Sequence, residues 1–142
     1  MTSLDDVRAT LETARHGYLS TASAEGDPHL QPVVFQLVED SVYIAIDEKP
    51  KTTLRLRRLT NIESNPRFAL LVDNYDDTWD RLWWILLRGP ATVLWPSTWD
   101  VDESNAAIRA LRAKYPQYES MALEERPLLK LTPDRITRWS AS

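Results

Sequence analysis

Apolar residues Leu4, Val7 and Leu11 recur at helical spacing behind Ser3, which can cap a helix over residues 4–15 with Asp6 three positions on. Gly17 is expected to end that helix. The period then changes to two. Residues 18–23 read as a strand, 24–28 as a hairpin connection carrying Gly26 and Pro28, and 29–38 as the returning strand. Glu39 and Asp40 make a tight turn into a third strand at 42–46, and three strands on short loops predict an antiparallel meander. Helical spacing returns over 51–62 and stops at Asn65-Pro66, because proline lacks the N–H and restricts the residue before it. Residues 67–73 form a fourth strand, 74–81 a polar loop, and 82–95 a long strand bent at Gly89-Pro90, where the lost ladder bond implies an edge or a bulge. Trp83, Ile85 and Leu87 share one face of this strand and Trp84 and Leu86 the other. One apolar face can fill a barrel; the other needs a second cover, most simply a partner subunit. Ser97 or Thr98 caps a further helix to about Tyr115, with Val101, Ala107, Ile108 and Leu111 as its buried stripe and Pro116 beyond its end. Two short strands, 128–131 and 135–139, close the chain around Thr132-Pro133-Asp134. The sum is an α+β fold, mainly β, with six or seven antiparallel strands and three helices, dominated by a barrel.

Composition narrows the class. A length of 142 residues predicts one domain, 1–142, with a core that needs no covalent staple. No apolar run approaches the ~18 residues of a membrane span, and the acidic start lacks the basic, apolar pattern of a secretory signal, so no membrane association and a cytoplasmic location are expected. Zero cysteines exclude disulfides, thiolate zinc sites, iron–sulfur clusters and cysteine nucleophiles. The net charge of −4 argues against nucleic acid as a partner.

Within that acidic chain, residues 49–67 set Lys49, Lys51, Arg55, Arg57, Arg58 and Arg67 against the single acid Glu63, a net +5 that leaves −9 for the remainder. Positive charge at a strand-to-helix junction suits a phosphate or polycarboxylate, since free N–H groups and the helix dipole point the same way. A solvent-facing basic helix surface is the alternative reading. Pro32 inside a strand leaves one position without a ladder bond, which either opens the main chain to a flat ligand or marks a tolerated edge. Asp73, Asp76, Asp77 and Asp80 crowd one loop but lack the glycine and distal glutamate of a calcium loop, so no metal is expected. Two histidines, His16 and His29, and no Gly-x-Ser-x-Gly turn speak against hydrolysis, and three glycines cannot build a dinucleotide fingerprint or a Walker loop. Trp79, Trp83 and Trp84 suit either ring stacking or an interface, and the two merge if a ligand sits between subunits.

The segments Tyr18-Leu19-Ser20-Thr21-Ala22, Gly26-x-Pro28-His29-x-x-Pro32-Val33, Val42-Tyr43-Ile44-Ala45-Ile46-Asp47 leading into Lys49-Pro50-Lys51, Asn61-Ile62-x-x-Asn65-Pro66-Arg67, and Leu82-Trp83-Trp84 before Gly89 follow one another in a recognisable order. The chain resembles the pyridoxamine 5'-phosphate oxidase-like, FMN-binding split-barrel superfamily, in particular its deazaflavin (coenzyme F420)-dependent branch. The resemblance implies a six-stranded antiparallel split β-barrel with flanking helices that forms a homodimer, with cofactor sites in the grooves between subunits. It places Lys51 at the cofactor phosphate, with Lys49, Thr52, Arg55 and Arg58 in support. It places Gln31, Pro32 and Val33, and Ile44, Ala45, Ile46 and Asp47, along the ring, and the partner's Trp83 near its exposed face. Vitamin-B6 oxidation is not implied, because the C-terminal signatures for that substrate are missing.

Five Lys or Arg between Lys49 and Arg58 exceed what the lone phosphate of FMN requires and suit a phosphodiester followed by carboxylates, which favours deazaflavin over FMN. The expected function is therefore an oxidoreductase that transfers a hydride from reduced coenzyme F420 to a conjugated organic acceptor. An FMN-dependent oxidase or reductase of the same fold, or a non-catalytic flavin- or haem-binding protein, are the alternatives. Tyr43, Tyr75 and His29 are the candidate proton donors, without a ranking among them.

Overall fold

The computed structural model describes residues 1–46 and 53–142, with the side chains of 53–56 outside that description. Ser3 and Asp6 form a capping box at the start of α1 (Leu4–Thr13), and Val7 and Leu11 bury its inner face. The helix stops at Thr13, and Gly17 instead opens β1 (Gly17–Ala22), where a Cβ would lie 2.9 Å from the carbonyl oxygen of Leu71. The close approach of two backbones, not helix termination, is what requires glycine there.

The expected return strand is two strands. β2 (Pro28–Val33) pairs antiparallel with β1, and β3 (Gln36–Val38) pairs with β4 (Ser41–Ala45). Pro32 cannot donate to a ladder, and residue 35 is taken out of the sheet by side chains from another element. The Tyr115 hydroxyl accepts from Phe35 N at 3.2 Å, and the carbonyl of Phe35 accepts from Lys114 Nζ and the Tyr115 hydroxyl, each at 3.0 Å. The meander is thereby broken, and β2 and β3 stand at opposite ends of the strand order.

After α2 (Thr53–Ser64) come β5 (Arg67–Asn74), a 3-10 turn at Trp79–Arg81 and β6 (Trp83–Leu94). α3 (Val101–Lys114), β7 (Leu128–Leu131) and β8 (Arg135–Ser140) complete the described elements. The order is β2-β1-β5-β6-β7-β4-β3, with β8 also on β6, so the described residues hold eight antiparallel strands rather than the six expected, within the same α+β split-barrel class. β6 joins the two halves: its first part pairs with β5 and β8, and Ala91 to Leu94 pair with β7. It turns at Gly89, where a Cβ would stand 2.3 Å from the Thr132 carbonyl oxygen, and Pro90 follows at the point where the ladder changes partner.

Two cores result. Ile85 and Leu87 of β6, Leu70 and Val72 of β5, and Val42, Ile44 and Ile46 fill the barrel together with α1 and with Leu59 and Ile62 of α2. Tyr43 and Ala45, on the opposite face of β4, pack against Ala107, Ile108 and Leu111 of α3 in the second. Asp100 caps α3, its carboxylate accepting from Glu103 N at 2.8 Å, in place of Ser97 or Thr98, and Val101 is exposed rather than part of the buried stripe. Outside the barrel, register brings Trp84 opposite Asp73 and Trp139, and Leu86 opposite Leu71 and Thr137, an apolar strip on the outer face of β5, β6 and β8. Among the described residues no helix is long and apolar enough to cross a membrane.

Candidate functional site

The break between β2 and β3 leaves a seam in the barrel wall, and a cleft of about 290 Å3 opens there. Gln31, Pro32, Val33 and Val34, Ile44 and Ala45 of β4, and Arg58 of α2 line it. His16, just before β1, and Tyr118, from the turn after α3, complete it. β2 lies at the end of the strand order, so half of its main-chain polar groups face away from β1.

Arg58 is only 7% exposed, unlike the solvent-facing residue the helix pattern suggested. With the Gln31 amide turned to suit the hydrogen-bond network, its oxygen accepts from Arg58 Nη1 at 3.0 Å and Nε at 3.2 Å. The amide thereby orients the guanidinium. His29 leaves β2 on the same face as Gln31, and its imidazole is held below the ordinary value of 6.5, first by burial and then by the charges of Arg57 and Arg58. Its Nδ1 is buried and has no hydrogen-bond partner among the described residues.

Of the residues marked in the sequence, the fold thus gathers Gln31, Pro32, Val33, Ile44, Ala45 and Arg58 around one cleft. Asp47, Lys49, Lys51 and Thr52 lie outside the described residues, as does the side chain of Arg55. Ile46 turns into the barrel core, and its N–H is bonded to the Pro127 carbonyl at 3.2 Å. Trp83 packs on that core and borders two other clefts, of about 480 and 400 Å3, flanking the Trp84–Trp139 pair. His16 and Tyr118 carried no cleft signal in the sequence, since they come from segments 102 positions apart that only the tertiary fold brings together.

Two of the candidate donors are placed elsewhere. The Tyr43 hydroxyl donates to Glu103 Oε2 at 2.6 Å beneath α3, and Lys130 Nζ meets the same oxygen at 2.6 Å. Burial, then that carboxylate, drives the phenol far above its usual range. Tyr75 is 68% exposed on the outer face beside Trp84.

The donor set at the seam is a guanidinium fork, an amide, open strand edges and apolar walls. It fits a flat heteroaromatic ring with an anionic substituent. The volume is at the lower end for a small-molecule site, enough for a ring system.

The fold is shared with solved structures of low sequence identity. A conserved hypothetical protein from Mycobacterium tuberculosis is similar with a TM-score of 0.76 at 18% identity, over 99% of this chain and 86% of that one. HutZ, the haem storage protein from Vibrio cholerae, gives 0.70 at 13%, over 99% and 95%. An FAD-binding protein from Mesorhizobium loti gives 0.70 at 18%, over 100% and 96%. No curated protein matches the sequence. The family model described as pyridoxamine 5'-phosphate oxidase matches residues 3–140, nearly the whole length, and the chain belongs to that family.

Proposed function

We propose that this protein is a deazaflavin (coenzyme F420)-dependent oxidoreductase that passes a hydride from the reduced cofactor to a conjugated organic molecule. The observation that carries the reading is the convergence of Gln31, Pro32, Val33, Ile44, Ala45 and Arg58 on one cleft, at the helix that continues the basic stretch. When bound, the cofactor supplies the hydride; the protein binds, orients and shields it. Pro32, Val33 and Ala45 would lie against the ring. Arg58, aimed by Gln31, would hold an oxyanion of the tail, with Lys51 as the phosphate contact and Lys49, Thr52 and Arg55 beside it. FMN in the same cleft is the second reading, and the family match favours it.

Titration of the purified protein with coenzyme F420 and with FMN tests the choice. Tighter binding of coenzyme F420, followed by reoxidation of the reduced form that depends on an added enone or quinone and not on air, is the expected outcome. Tighter FMN binding would replace the first reading by the second, and binding without acceptor-dependent turnover would make the protein a cofactor carrier.

A homodimer belongs to the same proposal. Leu71, Trp84, Leu86 and Trp139 form an apolar strip on an outer sheet face that a second copy would cover, setting the partner's Trp83 near the cleft. Light scattering should give twice the chain mass of 16.4 kDa; a monomer at micromolar concentration would remove the intersubunit groove.

A further inference from the structure

Beyond the end of α3 the chain doubles back through two 3-10 turns, Pro116–Ser120 and Leu123–Glu125, whose few internal hydrogen bonds fix little by themselves. Arg112, in the last turn of α3, ties both of them to the helix. Its Nε donates to the Tyr118 carbonyl at 3.1 Å, Nη2 to the Met121 carbonyl at 2.7 Å, and Nη1 and Nη2 to the two carboxylate oxygens of Glu124 at 2.5 and 3.0 Å. The Glu124 side chain is 52% exposed, so the ion pair adds little stability; its effect is to keep the fork aimed at the two carbonyls. The buried Tyr118 is thereby delivered to the seam, where it lines the cleft and belongs to the same apolar cluster as Val34 and Ala45. Val34 depends on the same helix end, since Lys114 and Tyr115 hold the main chain of Phe35 beside it. The end of α3 thus sets the apolar part of the cleft, as Gln31 and Arg58 set its polar part.

We propose that Tyr118 is a specificity-determining contact for the cofactor ring, and that Arg112, which does not line the cleft, is its positioning residue. The ligand class is a flat heteroaromatic ring, met by the phenol through its face or its edge. The inference rests on the cleft being the cofactor site. It differs from a role in stability alone, because the bonds of Arg112 fix where the Tyr118 ring stands and not only whether its segment is folded.

Bound FMN reports the contact directly, because a tyrosine ring against an excited flavin quenches it by giving up an electron, and a phenylalanine ring does not. Tyr118→Phe keeps the packing and should lengthen the fluorescence lifetime of the bound flavin, whereas Tyr118→Leu removes the ring and should raise the Kd for FMN about tenfold. Arg112→Gln should raise it about threefold, and Arg112→Lys, which keeps the charge without the fork, should fall between Arg112→Gln and the natural protein. In the Tyr118→Leu background Arg112→Gln should have no further effect, since the ring it places is gone. Should circular dichroism show Arg112→Gln unfolded, Arg112→Lys takes its place in this cycle; should only coenzyme F420 bind, the cycle is read with that cofactor. An unchanged lifetime in Tyr118→Phe, or an unchanged Kd in Tyr118→Leu, overturns the ring contact, and an Arg112 effect that persists in full without Tyr118 overturns the positioning. In either case the cofactor site stands, because the cofactor is still bound. If neither FMN nor coenzyme F420 binds the natural protein, the cofactor site itself is overturned, and this inference with it.

Discussion

Arg58 illustrates how one residue changes meaning between sequence and structure. Its place in a run of Lys and Arg marked it as a contact for an anion, and that run is visible in any reading of charge. What the run did not show is that Arg58 is buried, with its guanidinium set by Gln31 from a strand twenty-seven positions earlier. Arg58→Ala should therefore weaken cofactor binding by about 1.5–3 kcal/mol and also lower stability, because the half-buried Gln31 amide loses its donor. Calorimetric titration and urea unfolding separate the two effects. Arg58→Lys keeps the charge without the fork and should recover only part of the affinity. At His29 the depressed folded-state value has its own consequence. Below 6.5 the unfolded chain takes up a proton that the folded chain resists, so stability is complete above 6.5 and falls as the pH drops through the folded midpoint. Unfolding of the free protein between pH 7 and 5 should show this loss, and His29→Gln should flatten it.

At the scale of elements, the periodicities located α1, α3, β5, β6, β7 and β8 to within a few residues, because local spacing and caps decide where such segments begin and end. The split of residues 29–38 was not visible. It depends on Lys114 and Tyr115, about eighty positions away, taking the main-chain groups of Phe35. Lys114 is buried, its ammonium 4.4 Å from the Phe35 ring centroid and bonded to the carbonyls of Leu11 and Phe35. Burial, reinforced by Arg15, brings it down to about 8 from an ordinary 10.5. The unfolded chain then holds a proton that the folded chain has released, so stability should rise from about pH 8 toward 10. Denaturant midpoints across that range should climb in the natural protein and not in Lys114→Met. A different constraint governs the corner of β6. Gly89→Ala would drive a methyl group into the Thr132 carbonyl and Asp134 N, both main-chain atoms, and should cost about 3 kcal/mol or more in urea unfolding.

For the whole molecule, the alternation of Trp83, Ile85 and Leu87 against Trp84 and Leu86 already stated that one strand has two apolar faces. The structure resolves them into a barrel interior and an outer strip, and sets Asp73 at one end of the strip and Arg88 with Arg135 at the other. Two copies related by a two-fold axis, with their strips antiparallel, would bring the cationic end of each to the acidic end of the other. Leu86→Lys, on the outer face, should leave the barrel folded and shift the light-scattering mass toward 16.4 kDa. Retention of the doubled mass would move the interface elsewhere.

The sequence by itself determined the α+β class, the family, the basic stretch and the strand segments that border the cleft, since each of these is written in neighbouring residues: hydrophobic period, turn chemistry and charge run locally along the chain. Only the tertiary structure decided that the wall opens between β2 and β3, that Gln31 aims Arg58, that Tyr43 is committed to Glu103, and that His16 and Tyr118 share a cleft with both strands. Those outcomes are pairings between residues far apart in the chain, and a pattern read within a window of a few turns carries no term for them.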